Sequence, residues 1–135
     1  MYQQMIFVNL ATNDVPASRK FFTELGYSIN PQFSTDDCSC VVISDTIIAM
    51  LLSRQRYADF TKKEIADSTK TSEVLICLSA ESREKVDELV EKAVAAGGTA
   101  NDDVQDQGFM YGRSFEDLDG HSWEVVWMDP AAVQG

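Results

Sequence analysis

Apolar residues along this chain run first as a short β-prone stretch, then at helical spacing, then as short stretches again, and that succession occurs twice. Met5–Ala11 (MIFVNLA) is rich in β-prone residues and predicts a strand. Asp14 suits an N-cap and Pro16 the first turn of a helix. Val15, Arg19, Phe21, Phe22 and Leu25 follow at helix-like spacing, and Gly26 ends the helix. Tyr27–Phe33, Cys38–Ser44 and Ile47–Ser53 (IIAMLLS) predict three strands, with turns at 34–37 and at Asp45-Thr46. The stretch 54–71 is polar and charged; it predicts a linker with a short helix over 57–66.

The succession then begins again. Glu73–Ser79 predicts a strand, and Ser82 a helix cap. Val86, Leu89, Val90, Ala93 and Val94 form one apolar stripe at helical period, closed by Gly97-Gly98. Thr99–Val104 predicts a short strand and 105–108 a turn. Phe109–Asp117 and Ser122–Met128 predict strands joined at Asp119-Gly120, a strong hairpin signal. The expected organisation is one domain over 1–135: a first module at about 1–54, a linker at about 55–71 and a second module at about 72–129. The fold class is α+β, two βαβββ modules forming a curled mixed sheet around a cleft. One such module leaves a sheet face uncovered, and clefts between packed modules are usual ligand sites.

Composition narrows the function. At 135 residues the chain fits one domain, and a domain of this size buries roughly two-thirds of its unfolded surface. Its 22 acidic and 11 basic residues give a net charge of −11, which repels phosphate backbones and anionic membranes and favours cationic ligands. Nucleic-acid and membrane partners are therefore not expected. No stretch approaches the ~20 apolar residues of a membrane span, and the N-terminus lacks the pattern of a secretory signal. The three cysteines, Cys38, Cys40 and Cys77, are an odd number without a metal-binding spacing; they read as free thiols in a cytoplasmic protein.

Three stretches resemble the vicinal-oxygen-chelate superfamily of glyoxalase I, bleomycin-resistance proteins and extradiol dioxygenases. They are Phe7–Val15 with Ala17–Phe22 and Leu25-Gly26-Tyr27; Ala93–Gly98; and Phe115–Val125, where Leu118 stands at a position usually held by proline. Together they span nearly the whole chain. The resemblance implies the glyoxalase/bleomycin-resistance fold, commonly homodimeric, and four metal-ligand positions in the cleft. Carried onto this sequence they fall at about Phe7 (Asn9 in a shifted register), Met50, near Glu73, and at Glu124. Phe7 cannot bind a metal, and Met50 offers a thioether poorly matched to an oxygen/imidazole site. A catalytic zinc normally takes three protein ligands. A member poor in metal ligands, with no metal or other cofactor, is therefore expected.

Glu124 is the first candidate for chemistry. It interrupts the apolar strand SWEVVWM and lies on the opposite face from Trp123 and Val125. Facing a cleft it would serve as general base or pair with a cation; facing elsewhere it would form an ion pair, with Arg113 across the hairpin as partner. Phe7, Asn9, Met50, Glu73, Tyr111 and Arg113 are the candidate ligand-binding residues, with Trp123 and Trp127 as further aromatic surface. His121, the sole histidine, reads as a solvated turn residue. Three functions stay open: a small-molecule binder; a lyase or isomerase of glyoxalase type using Glu124 as base, or as metal ligand in a metalloenzyme with unusual ligands; and a domain with a vestigial cleft.

Overall fold

Two similar sets of elements follow from matching start and stop signals. A computed structural model describes residues 1–101 and 103–132. The chain divides into two compact units, 1–67 and 68–135. In the first, β1 (Ile6–Thr12) leads into α1 (Val15–Glu24), whose cap Asp14 accepts a hydrogen bond from the Ala17 N–H with Pro16 in the first turn. Gly26 follows α1 at φ +107°, a left-handed conformation that costs glycine little. Then come β2 (Ser28–Ile29), β3 (Cys38–Val42), β4 (Ile47–Ser53) and α2 (Arg54–Tyr57). In the second, β5 (Leu75–Ser79) leads into α3 (Arg83–Ala95), capped by Ser82, which accepts from the Lys85 N–H, and ended by Gly97 at φ +107°. Next come β6 (Thr99–Ala100), β7 (Gln105–Asp106), β8 (Met110–Glu116) and β9 (Ser122–Met128).

Each unit holds one mixed sheet. The first has strand order β1-β4-β3-β2; the second has β5-β9-β8-β6, with β7 added to β8. The last long strand of each unit lies between its neighbours and runs parallel to the first: Asn9 pairs with Met50, and Cys77 with Glu124. Both units thus have the βαβββ succession of an α+β fold. On the first sheet the face of Leu10, Ser39, Val41, Ala49 and Leu51 is buried beneath Phe21 and Phe22 of α1. Arg19 of α1 anchors it, donating to Ser39 Oγ at 2.6 Å and to the Thr35 and Cys38 carbonyls. On the second, Leu78, Phe115, Trp123 and Val125 are buried with Val86, Val90 and Ala93 of α3.

Four expected elements differ. The strand predicted at Tyr27–Phe33 is only Ser28–Ile29, because Asn30 caps a 3₁₀ turn, Pro31–Phe33, by accepting from the Gln32 N–H. The helix predicted over 57–66 lies earlier and is shorter: Ser53 caps α2, and a 3₁₀ turn, Ala58–Phe60, follows. Of the strand predicted at Thr99–Val104 only Thr99–Ala100 forms, and Asp102 of that stretch lies outside the described residues. The turn predicted at 105–108 begins instead as β7, paired to Gly112 and Tyr111. Among the described residues no helix is long and apolar enough to cross a membrane.

Candidate functional site

The pairing register of β5, β9 and β8 fixes which side chains share a face of the second sheet. Cys77, Glu124 and Ser114 stand in one row across the three strands. That face is turned away from α3, because side chains alternate and Val125 and Trp123 pack toward the helix. Glu124 is half-buried there and makes no hydrogen bond or ion pair among the described residues. Burial raises the Cys77 thiol pKa, and the neighbouring Glu124 charge raises it further. A thiol so placed stays protonated at neutral pH and is a weak nucleophile. The row therefore offers a carboxylate countercharge flanked by a thiol and a hydroxyl, on a surface without a helix above it.

Tyr111 and Arg113 lie on the other face. Arg113 stands opposite Val125, so it cannot pair with Glu124 across the hairpin as one reading expected. Instead the Tyr111 hydroxyl donates to Asp87 of α3 at 2.6 Å, and the Arg113 guanidinium donates to the same oxygen at 3.0 Å. These bonds hold the Asp87 carboxyl below the usual carboxylate range, the Tyr111 bond most strongly. The Arg83 guanidinium also lies over the paired Tyr111 and Trp127 rings, at 5.2 and 5.1 Å, while Arg83 grips Asp106 with two bonds of 2.9 and 3.0 Å. Trp123 is 1% exposed and stacks on Phe115. Three of the aromatic surfaces proposed for a ligand are thus engaged within the protein.

In the first unit Phe7, Asn9 and Met50 share the sheet face turned away from α1. Asn9 and Met50 stand in one row with Cys40, and Phe7 lies two residues along β1, 55% exposed. The row Asn9–Met50–Cys40 corresponds by topology to Cys77–Glu124–Ser114. Cys77 thus shares the row of Glu124, whereas Glu73 precedes β5 and is exposed. Counting back from the buried Leu78 in steps of two would have excluded Ile76, and so singled out Cys77; only the register with Glu124 shows that it matters.

The positions that the resemblance implies hold a phenyl ring at Phe7 or an amide at Asn9, a thioether at Met50 and carboxylates at Glu73 and Glu124, which do not make the oxygen/imidazole ligand set of a catalytic divalent metal. The residues present do not fit such an ion. Among the described residues one group of three donors does approach within 4.8 Å, Asp117, Asp119 and His121 at the β8–β9 turn. Its geometry is that of a turn brace. The buried Asp117 carboxylate accepts from the Asp119 N–H, the His121 N–H and Trp123 Nε1, each at 3.0 Å. Burial pushes its pKa up, and His121, Trp123 and the two backbone N–H groups pull it down. His121, expected as a solvated turn residue, is half-buried beside this carboxylate.

The match to known proteins is broad. Residues 4–44 match the bleomycin resistance protein-like N-terminal family model. The hypothetical protein SA1046 from S. aureus is 30% identical, with 94% of this chain and 95% of that chain covered and a TM-score of 0.77. The chain has the fold of glyoxalase/bleomycin-resistance/dioxygenase proteins. A glyoxalase/bleomycin resistance protein/dioxygenase family enzyme from Burkholderia phytofirmans PsJN shares the fold at 17% identity, with 93% and 99% coverage and a TM-score of 0.75. So does a lactoylglutathione lyase from Agrobacterium tumefaciens, at 16% identity, 94% and 95% coverage and a TM-score of 0.67. No curated protein matches the sequence.

Proposed function

We propose that this protein binds a small cationic or aromatic molecule, without a metal, and that Glu124 supplies the countercharge. The observation that carries this reading is a half-buried carboxylate without a hydrogen-bond or ion-pair partner among the described residues, on the sheet face turned away from α3. A carboxylate in that setting gains from a ligand cation more than one already paired. The net charge of −11 draws cations toward the protein. The first unit, taken by itself, has a sheet face that carries the aromatic Phe7, the Asn9 amide and the Met50 thioether.

The test is a thermal-shift screen of aromatic cations, simple organic amines and glutathione conjugates against wild type and Glu124→Gln. The expected result is stabilisation by cations that the substitution removes. An equal shift in the variant would take Glu124 out of the site. A lyase or isomerase with Glu124 as base is the second reading, favoured by the same partnerless carboxylate. Turnover of a glutathione adduct, lost in Glu124→Gln, would establish it. The homodimer that the family resemblance implies belongs to this proposal, and a monomer in sedimentation equilibrium at micromolar concentration would remove it.

A further inference from the structure

Beside the Glu124 row, where β8 and β9 meet the Asp117–His121 turn and β6 runs along β8, the surface sinks into a recess of about 320 Å³. Its polar lining comprises Thr99, Asn101, Ser114, Glu116 and Ser122, and no lysine or arginine lines it. The register orders these groups. Thr99 stands opposite Glu116, and Glu116 opposite Ser122, so that one row across three strands reads hydroxyl, carboxylate, hydroxyl. The next row on the same face is Ser114 beside Glu124. Glu116, like Glu124, makes no hydrogen bond or ion pair among the described residues.

We propose that this recess is a subsite for a primary ammonium group, with Glu116 as its countercharge and the Thr99 and Ser122 hydroxyls as acceptors. A primary ammonium carries three N–H donors on one compact charge. Directly opposed side chains on a sheet have Cβ atoms roughly 4.5–5.5 Å apart, which lets three neighbouring oxygens converge on one nitrogen. The recess is near the lower limit of small-molecule pockets, so it takes one end of a ligand rather than all of it. Glu116 and Glu124 are diagonal neighbours, with Cβ atoms roughly 7–8 Å apart in such an arrangement. That spacing suits a short linear diamine with one ammonium on each carboxylate. This second contact rests on the reading of Glu124 given above; the recess and its lining do not.

Calorimetric titration of the full chain with putrescine, n-butylamine and tetramethylammonium tests it. Putrescine is expected to bind about tenfold or more tightly than n-butylamine, the worth of one additional charge-assisted contact. Glu116→Gln should remove that advantage, and Ser122→Ala should reduce it. Both positions are on the surface or half-buried, so the variants should fold, which circular dichroism will verify. Equal putrescine affinity in wild type and Glu116→Gln overturns the subsite, as does tetramethylammonium binding as tightly as n-butylamine, since it has no N–H to donate. Loss of amine binding in Glu124→Gln with none in Glu116→Gln overturns the recess and leaves the Glu124 reading standing. The reverse pattern removes Glu124 and leaves the recess.

Discussion

Among single residues, Asp117 and Gly120 do the most for the second hairpin. Asp117 is an acceptor for three donors, two from the turn backbone and one from the buried Trp123 indole. Asp117→Asn keeps the size but sets an NH₂ group against one of those donors. The expected loss is about 1–3 kcal/mol in urea denaturation, the cost of leaving a buried donor unmatched. An unchanged midpoint would show that the turn is held by other means. Gly120 has φ +84°, and a Cβ there would lie 2.8 Å from the Ser68 carbonyl oxygen. Gly120→Ala should cost roughly 1–3 kcal/mol by strain and close contact, checked in the same experiment. The sequence displayed Asp119-Gly120 as a turn. It held no sign that Ser68, some fifty positions earlier, packs on that turn and donates its hydroxyl to the Asp119 carbonyl at 2.6 Å.

At the scale of elements, α3 is tied to its sheet by polar contacts to the first half of β8 and to β7 and the turn that precede it. Asp87 takes the Tyr111 hydroxyl and the Arg113 guanidinium; Arg83 holds Asp106 and the Gly108 carbonyl. The Asp87 carboxyl titrates below its ordinary value, so the folded state favours its charged form. Its contribution is therefore present above the unfolded carboxylate pKa of about 3.9 and is lost as the pH falls through the lowered folded value. Denaturation at pH 2 to 5 should show wild type losing stability more steeply than Asp87→Asn; parallel curves would dismiss the tie. Arg83→Ala should release β7, and amide exchange at Gln105 and Asp106 should quicken while that of β9 stays slow. Helix caps, the helix stops at Gly26 and Gly97, and the long strands were legible, because each depends on neighbours within a few positions. The second strand was read too long because a 3₁₀ turn capped by Asn30 intervened, and the linker helix was misplaced because Ser53 begins it at the very end of β4.

The whole molecule is two units of one plan, and that plan was visible in the order of strand, capped helix, glycine and strands. Local chemistry determined it: hydrophobic period, caps and turn residues act over a few positions, and they occur twice along the chain. They also fixed the alternation that sets Glu124 apart from Trp123 and Val125, and an acidic charge of −11 that follows from composition alone. What the sequence left open was which distant strands pair, and in what register. The parallel pairing of β5 with β9 brings Cys77 beside Glu124 and leaves Glu73 outside the sheet. The pairing of β6 with β8 and β8 with β9 sets Thr99, Glu116 and Ser122 in a row. The packing of α3 claims Tyr111, Arg113 and Trp127 for the protein itself. A shift of one residue in any of these pairings would move each side chain to the opposite face while leaving the local pattern of that strand unchanged. For that reason the sequence determined the elements and their amphipathic sides, and the tertiary structure alone decided which side chains meet on the face that Glu124 occupies.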